Sequence, residues 1–184
     1  MAAEGALSAL PESPLRLNGL PPLIAPTCRV LILGSFPGVA SLAAQQYYGH
    51  PRNQFWPIML AILPSSALVT CMIGYQKRSE WLLENGIGLW DVYAACERQG
   101  SLDADIRHAL VNDFSGLRQR YPQLQAIAHN GLESYKHHRR IEESGQALGV
   151  SLYKLPSSSP ANASWTFERK LNAWRDALQP HLGF

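Results

Sequence analysis

The residues best suited to chemistry lie in one segment of the chain, from Ser35 to Trp56. This segment is rich in Gly, Pro and Ser, and it also contains aromatic residues together with His50, Arg52 and Asn53. A plain connection between two elements would not need so many large side chains. Aromatic and polar side chains in one loop are typical of the lining of a ligand pocket. The segment is therefore predicted to form a pocket.

Polar or small residues also lie at or near the carboxyl end of each of the four predicted strands. These groups are Ser35-Phe36-Pro37, Trp90-Asp91, Asn130-Gly131 and Ser157-Ser158-Ser159. The carboxyl ends of parallel strands lie at one edge of a sheet, so side chains that are far apart in sequence meet there. We therefore expect the four groups to converge on one site.

Several common chemistries find no support in the sequence. It contains no Walker or GxGxxG phosphate motif, which argues against a nucleotide cofactor. It contains no GxSxG elbow, and Ser35 and Ser157 have no partners at the spacing of a serine hydrolase. His, Cys, Asp and Glu form no cluster with metal-ligand spacing. We expect a site that uses neither a metal nor a cofactor.

The elements that position these groups alternate between strand and helix. Short apolar runs predict strands at 29–33, 87–93, 124–129 and 150–155. Helical spacing or cap residues predict helices that include 54–63, 101–112 and 167–178. The alternation predicts an α/β fold, a three-layer α/β/α sandwich with a central four-stranded parallel sheet. Residues 1–18 are predicted to be a flexible tail, and residues 19–184 a single domain.

Composition sets the outer limits of the interpretation. The chain has 184 residues and a formal charge of +2, which permits a polyanionic partner without requiring one. Cys28, Cys71 and Cys96 are widely spaced and form no CxxC pair, so reduced thiols in the cytoplasm are expected. No apolar run approaches the roughly 20 residues of a membrane-spanning helix. We expect a monomeric, cytoplasmic protein.

Motifs along most of the chain resemble those of one family. They are Gly34-Ser35-Phe36-Pro37-Gly38, Tyr48-Gly49-His50-Pro51-Arg52-Asn53-Gln54-Phe55-Trp56, Gly86-Ile87-Gly88-Leu89-Trp90-Asp91-Val92, Gly100-Ser101-x-Asp103, His129-Asn130-Gly131 and Leu155-Pro156-Ser157-Ser158-Ser159-Pro160. The set resembles the uracil-DNA glycosylase superfamily, whose mismatch-specific and thymine-DNA branches carry Gly-x-Asn-Pro-Gly followed by Phe-x-His-Pro-x-Asn-Arg-Phe-Trp. The first motif of this sequence, Gly-Ser-x-Pro, resembles that of the hypoxanthine-DNA (deoxyinosine) glycosylases.

The resemblance implies a monofunctional base-excision repair enzyme that hydrolyses the N-glycosidic bond of a flipped, deaminated base. Deoxyinosine is the expected substrate, with uracil as a second, and the partner is DNA that contains such a base. The alternatives are a uracil or thymine glycosylase of the mismatch type and a non-catalytic nucleic-acid-binding relative of the same fold.

One position departs from the wider superfamily. The resemblance implies a water-positioning Asp or Asn at the third residue of the first motif, where this sequence has Phe36, and a phenyl ring cannot position water. In hypoxanthine-type enzymes the resemblance assigns a catalytic role to the Asn after His-Pro-x, which is Asn53 here. A carboxamide oxygen there would orient water toward an oxocarbenium-like sugar. The alternative is that Asn53 only caps the following helix.

The resemblance also implies a base pocket. Tyr48 matches the aromatic residue that stacks on the flipped base. Asp91, which is expected to be catalytic together with Asn53, matches a residue that contacts the base edge. A carboxylate there would accept the N1–H of hypoxanthine, whereas N1 of adenine has no proton. The alternative is a salt-bridged or helix-capping Asp91. The other residues expected to bind the base are Gly34, Ser35, Phe36, Pro37, His50, Asn130 and Ser157.

Contacts to DNA are expected beside this pocket. Ser157, Ser158 and Ser159 would bind phosphate through hydroxyl and amide groups. The wedge that fills the vacated base stack would consist of Pro160, Ala161 and Asn162. Further contacts to the DNA backbone are expected from Arg52, Ser101, Arg98, Lys136, Arg139 and Arg140. For the last three, a solvated helix face is the alternative.

Overall fold

The computed structural model describes residues 16–64, 74–143 and 149–183, so Cys71 lies outside the described residues. The strands are β1 (Arg16–Asn18), β2 (Val30–Gly34), β3 (Ile87–Asp91), β4 (Tyr93–Glu97), β5 (Arg107–Val111), β6 (Ala126–Asn130) and β7 (Ser151–Leu155). The α-helices are α1 (Val39–Ala44), α2 (Phe55–Ile62), α3 (Tyr75–Glu84), α4 (Leu117–Arg120), α5 (Leu132–Tyr135), α6 (His138–Glu143) and α7 (Phe167–Leu178). Short 3-10 turns lie at 103–105 and 179–181.

Four strands form an all-parallel sheet in the order β3-β2-β6-β7. Val30 of β2 pairs with Ile87 of β3 on one side and with Ala126 of β6 on the other. Every residue of β2, β3 and β6 is buried. Their aliphatic sequences fit this position because a parallel strand has both faces covered. The predicted four-stranded parallel sheet is confirmed.

The two faces of this sheet carry separate apolar clusters. Ile32 points to one face, where it packs with residues of α2, α3 and α7 such as Met59, Leu82 and Trp174. Leu33 points to the other face, where it packs with Leu117 of α4 and other residues. Helices therefore flank both faces, as the predicted α/β/α layers require, and the predicted helices at 54–63 and 167–178 are confirmed as α2 and α7.

A second sheet was not foreseen from the sequence. It is antiparallel, with the order β1-β4-β5. The predicted helix at 101–112 is wrong, because this segment forms a 3-10 turn followed by β5, which pairs with β4. Strand β1 pairs with the other edge of β4 and lies within the stretch predicted to be a tail. Residues 1–15 of that stretch lie outside the described residues.

Candidate active site

A cavity of about 410 Å³ lies at the carboxyl edge of the parallel sheet. Gly34 ends β2, Asp91 ends β3, Asn130 ends β6 and Ser157 follows β7, and all four residues line this cavity. The groups that follow the four predicted strands therefore do converge, because the parallel topology brings their carboxyl ends to one edge.

Nearly all of the residues selected from the sequence line this cavity. They are Gly34, Ser35, Phe36, Pro37, Tyr48, His50, Asn53, Asp91, Ser101, Asn130, Ser157, Ser158, Ser159, Pro160, Ala161 and Asn162. Arg52 is exposed and does not line it. Sequence reasoning gave no binding role to a further set of lining residues, in which Gly38 and Asp103 belong to the motifs and the others lie near them: Gly38, Ala40, Ser41, Tyr47, Leu102 and Asp103.

Asp91 is a buried acid in the cavity wall. It is 4% exposed, and its Oδ2 has no hydrogen-bond partner among the described residues. Burial, reinforced by the charge of Asp103 and opposed by that of Arg98, raises the pKa of Asp91 to about 7. A Cβ atom on Gly34 would lie 2.2 Å from Oδ1 of Asp91, so only glycine leaves room for the carboxylate there. No ion pair or helix cap accounts for Asp91 in the described chain.

Tyr48 is fixed at the cavity wall by contacts on two sides. Its ring stacks on Phe55 with centroids 3.9 Å apart and an interplanar angle of 20°. Its hydroxyl accepts a hydrogen bond from Nδ2 of Asn130 at 3.2 Å. Tyr48 has a φ of 54°, a left-handed conformation that is uncommon for a residue with a large side chain. Such backbone strain is typical of functional sites and needs surrounding contacts to hold it.

Asn130 connects Tyr48 to the serine loop, which we define as residues 157–159. Its Nδ2 donates to the hydroxyl of Ser158 at 2.9 Å, and its Oδ1 accepts the Ser158 backbone N–H at 2.9 Å. The Ser158 side chain is fully buried. The predicted DNA contact through the Ser158 hydroxyl is therefore wrong, because Asn130 holds this side chain inside the protein. Ser157 and Ser159 remain partly exposed.

Asn53 lines the same cavity at the start of α2. Its Oδ1 accepts the backbone N–H of Phe55, the first residue of α2, at 2.9 Å, so Asn53 makes a capping contact from the position before the N-cap residue Gln54. The capping alternative is therefore observed, and it is compatible with a second role. A carboxamide oxygen has two lone pairs, so the contact with Phe55 fixes the orientation of the group and leaves acceptor capacity.

Residues 101–103 form another part of the cavity wall. The Ser35 hydroxyl donates to Oδ1 of Asp103 at 2.6 Å, and the Val39 N–H donates to the Ser101 hydroxyl at 2.9 Å. Arg98 packs against Phe36 and Pro37 and is 8% exposed. Its predicted contact with the DNA backbone is wrong, because the guanidinium is enclosed by the protein and donates to the Pro37 carbonyl instead.

Two negative findings concern the described part of the chain. No group of three or more His, Cys, Asp or Glu side chains there is arranged to hold a metal ion. No helix within the same residues is both long enough and apolar enough to cross a membrane.

Comparisons with known proteins agree with this architecture. The family model described as the Uracil DNA glycosylase superfamily matches residues 21–178. Because this match covers most of the chain, the protein belongs to that superfamily, and the resemblance seen in the motifs is confirmed.

Individual proteins of the superfamily are similar to this chain over most of its length. A protein named Hypoxanthine DNA glycosylase from Methanosarcina barkeri is 38% identical over 165 residues, which are 90% of this chain and 99% of the relative. A protein of the same name from Methanosarcina acetivorans is 36% identical over 153 residues, which are 83% of this chain and 92% of the relative. A solution NMR structure from Methanosarcina acetivorans, of a protein named as a candidate uracil DNA glycosylase, superposes with a TM-score of 0.76 at 35% identity. It covers 92% of this chain and 100% of the other.

Proposed function

We propose that this protein is a monofunctional DNA glycosylase that hydrolyses the N-glycosidic bond of a flipped, deaminated nucleotide. Deoxyinosine is the preferred substrate and deoxyuridine a second. The observation that carries the proposal is the unpartnered Asp91 carboxylate in the wall of a cavity that Tyr48 and Asn53 also line. Superfamily membership and relatives named for hypoxanthine support the same assignment.

The Asp91 carboxylate supplies the base selectivity. Its free Oδ2 accepts the N1–H of hypoxanthine or the N3–H of uracil, which satisfies a buried oxygen that has no partner otherwise. Adenine presents an unprotonated N1, so it would leave two acceptors facing each other in a buried site. Ionised Asp91 is needed for this contact. Because the pKa of Asp91 is about 7, excision of deoxyinosine should rise as the pH passes through 7.

Tyr48 supplies the stacking surface for the extruded base. Phe55 covers one face of the Tyr48 ring, so the face toward the cavity is the one available to a ligand. Enzymes that act on extrahelical bases read them by stacking and by hydrogen bonds at the base edge. Asn130 holds the Tyr48 hydroxyl and Ser158 together, and this bracing fixes the stacking surface relative to the serine loop.

Asn53 orients the attacking water. Its Oδ1 is held by the Phe55 N–H, and the remaining acceptor capacity of this oxygen takes an O–H of water beside the sugar. As the base departs, the sugar develops positive charge, and a fixed water reacts without further reorganisation. Phe36 excludes water from the position where related enzymes hold it, so the nucleophile approaches from the Asn53 side.

DNA contacts follow from the same geometry. The partly exposed Ser157 and Ser159 bind phosphate oxygens, and the segment 160–162 fills the space vacated by the flipped base. The protein acts as a monomer in the cytoplasm. The buried free thiols Cys28 and Cys96 support a reducing compartment.

The test is an excision assay with matched variants. Oligonucleotides with deoxyinosine, deoxyuridine or deoxyadenosine, single- and double-stranded, are scored for alkali-cleavable abasic sites. Asn53→Ala is expected to slow single-turnover excision by roughly two orders of magnitude, and Asn53→Asp to retain more activity because a carboxylate also positions water.

Thr166→Ala is the control for the loss of a helix cap. The Thr166 hydroxyl accepts the Arg169 N–H at the start of α7, and Thr166 does not line the cavity. Removal of either cap should lower stability by about 1 kcal/mol, but only Asn53→Ala should slow excision. A wild-type rate in folded Asn53→Ala would reject the catalytic role. Wild-type protein that binds the DNA without releasing any base would be a non-catalytic relative.

A further inference from the structure

Arg98, which directly follows β4, is a buried cation behind the loop of the first motif. It is 8% exposed, and no described carboxylate lies within ion-pair distance of its guanidinium. A buried guanidinium without an ion-pair partner is destabilising in itself. Its presence at this point calls for a role in the site.

The contacts of Arg98 go to two neighbouring residues of that loop. Its Nη2 donates to the Pro37 carbonyl, and its guanidinium carbon lies 5.0 Å from the centroid of the Phe36 ring. Nε and Nη1 of Arg98 have no hydrogen-bond partner among the described residues. Both Phe36 and Pro37 line the cavity. The guanidinium therefore supports this wall of the cavity. Its hydrogen bond to Pro37 joins residues that are 61 positions apart in sequence.

Arg98 also enters the charge balance around Asp91. Asp103, which also lines the cavity, raises the pKa of Asp91, whereas Arg98 lowers the pKa of both carboxyls. The other titratable groups facing the cavity are Tyr47, Tyr48 and His50. Burial, reinforced by the Asp91 charge, raises the pKa of both tyrosines, so both remain neutral at physiological pH.

We propose that Arg98 is a positioning residue of the site: its buried guanidinium holds the Phe36–Pro37 wall in place and supplies a positive charge beside a cavity that Asp91 and Asp103 also line. The effect on base excision rests on the proposed function, but the effect on Asp91 does not.

The primary experiment is a ¹³C NMR titration of the side-chain carboxyls in the free protein, with the Asp91 signal assigned by Asp91→Asn. Arg98→Met keeps an apolar stem against Phe36 but removes the charge, and it should move the Asp91 midpoint upward by about one pH unit. Arg98→Lys retains the charge and should leave the midpoint close to that of the wild type.

Arg78→Met is the matched control for this titration. Arg78 also places a guanidinium over an aromatic ring, 4.9 Å from Trp56, but neither residue lines the cavity. This variant should leave the Asp91 midpoint unchanged. An unchanged midpoint in folded Arg98→Met, or an equal change in Arg78→Met, would overturn the proposal. If Arg98→Met does not fold, Arg98→Gln decides, because it also removes the charge: the proposal requires a higher Asp91 midpoint, and no change would reject it.

The pH profile of deoxyinosine excision is the second measurement. Relative to wild type, Arg98→Met should lose about tenfold at pH 6, and the loss should narrow toward pH 9 as Asp91 ionises. Arg98→Lys should keep the wild-type midpoint, whereas a purely structural role would lower the rate equally at every pH. If wild-type protein excises nothing at any pH, the proposed function fails, and the NMR titration still tests Arg98.

Discussion

Asp91→Asn is expected to stabilise the fold at neutral and alkaline pH. Burial raises the pKa of Asp91 to about 7, whereas its ordinary value is near 3.8. The folded protein therefore binds this proton more tightly than the unfolded chain does. Stability from this group is fully present below about pH 4, falls as the pH rises toward 7, and stays low above 7.

The size of the effect follows from the same two values. The interval between 3.8 and about 7 corresponds to about 4 kcal/mol at 1.36 kcal/mol per pH unit. A neutral carboxyl and a carboxamide are similar in size and similarly costly to bury, so the variant and the wild type should match at low pH. Above pH 7 we expect Asp91→Asn to be more stable by about 2–4 kcal/mol.

Urea unfolding of both proteins between pH 4 and pH 9 measures this difference. Asp176→Asn is the control, because Asp176 is exposed on α7 and its replacement should have little effect at any pH. A gap that does not change with pH, or a variant less stable than wild type at pH 8, would refute the reasoning. The same variant should discriminate less strongly against deoxyadenosine, because a carboxamide is both donor and acceptor.

Excision should continue in excess chelator, since the described residues offer no metal-ligand cluster; activity lost to chelator and restored by one divalent ion would contradict this expectation. Borohydride should trap no covalent adduct with DNA, because the nucleophile is water and no lysine lines the cavity. A trapped adduct would instead identify a Schiff-base lysine among Lys77, Lys136, Lys154 and Lys170.

The parallel sheet was predictable because its signal is local. Each strand is a short apolar run, and each run ends at residues such as Gly34 or Asp91 that differ sharply from it. Once the strands are parallel, the convergence of their carboxyl ends follows from topology alone. Helix α7 was equally clear, with a Thr166 cap and Trp174 on its apolar face.

The second sheet was missed because its cause is not local. Ser101, Asp103 and Asp105 have the composition of a helix start. Strand β5 forms because β4 presents an unpaired edge to it, and the backbone groups of that edge need partners. Pairing between segments about ten residues apart leaves no periodic signal in an exposed strand such as β5.

The burial of individual polar residues also could not be predicted from the sequence. In the sequence, nothing distinguishes Ser158 from its neighbours Ser157 and Ser159. In the structure, Asn130, 28 positions earlier, forms two hydrogen bonds with Ser158 and holds the Ser158 side chain in the interior. Arg98 reads like a cation that contacts DNA, yet the Phe36–Pro37 wall that encloses it lies about sixty positions away. In both cases the deciding partner comes from another strand end, so only the assembled site shows the role.

Phe36 and Asp91 together determine which positions of the cavity carry a carboxylate. The resemblance implies an acid or amide in the first motif and an Asn at the base edge, whereas this chain has an aromatic ring in the first position and the acid in the second. A carboxylate at position 36 would share one cavity with Asp91 and Asp103, and like charges so close disfavour ionisation of each other. The phenyl ring instead packs under the Arg98 guanidinium, whose charge favours an ionised Asp91. The absence of an acid or amide at position 36 is thus consistent with the proposal that the buried Asp91 recognises the base and the neutral Asn53 orients the water.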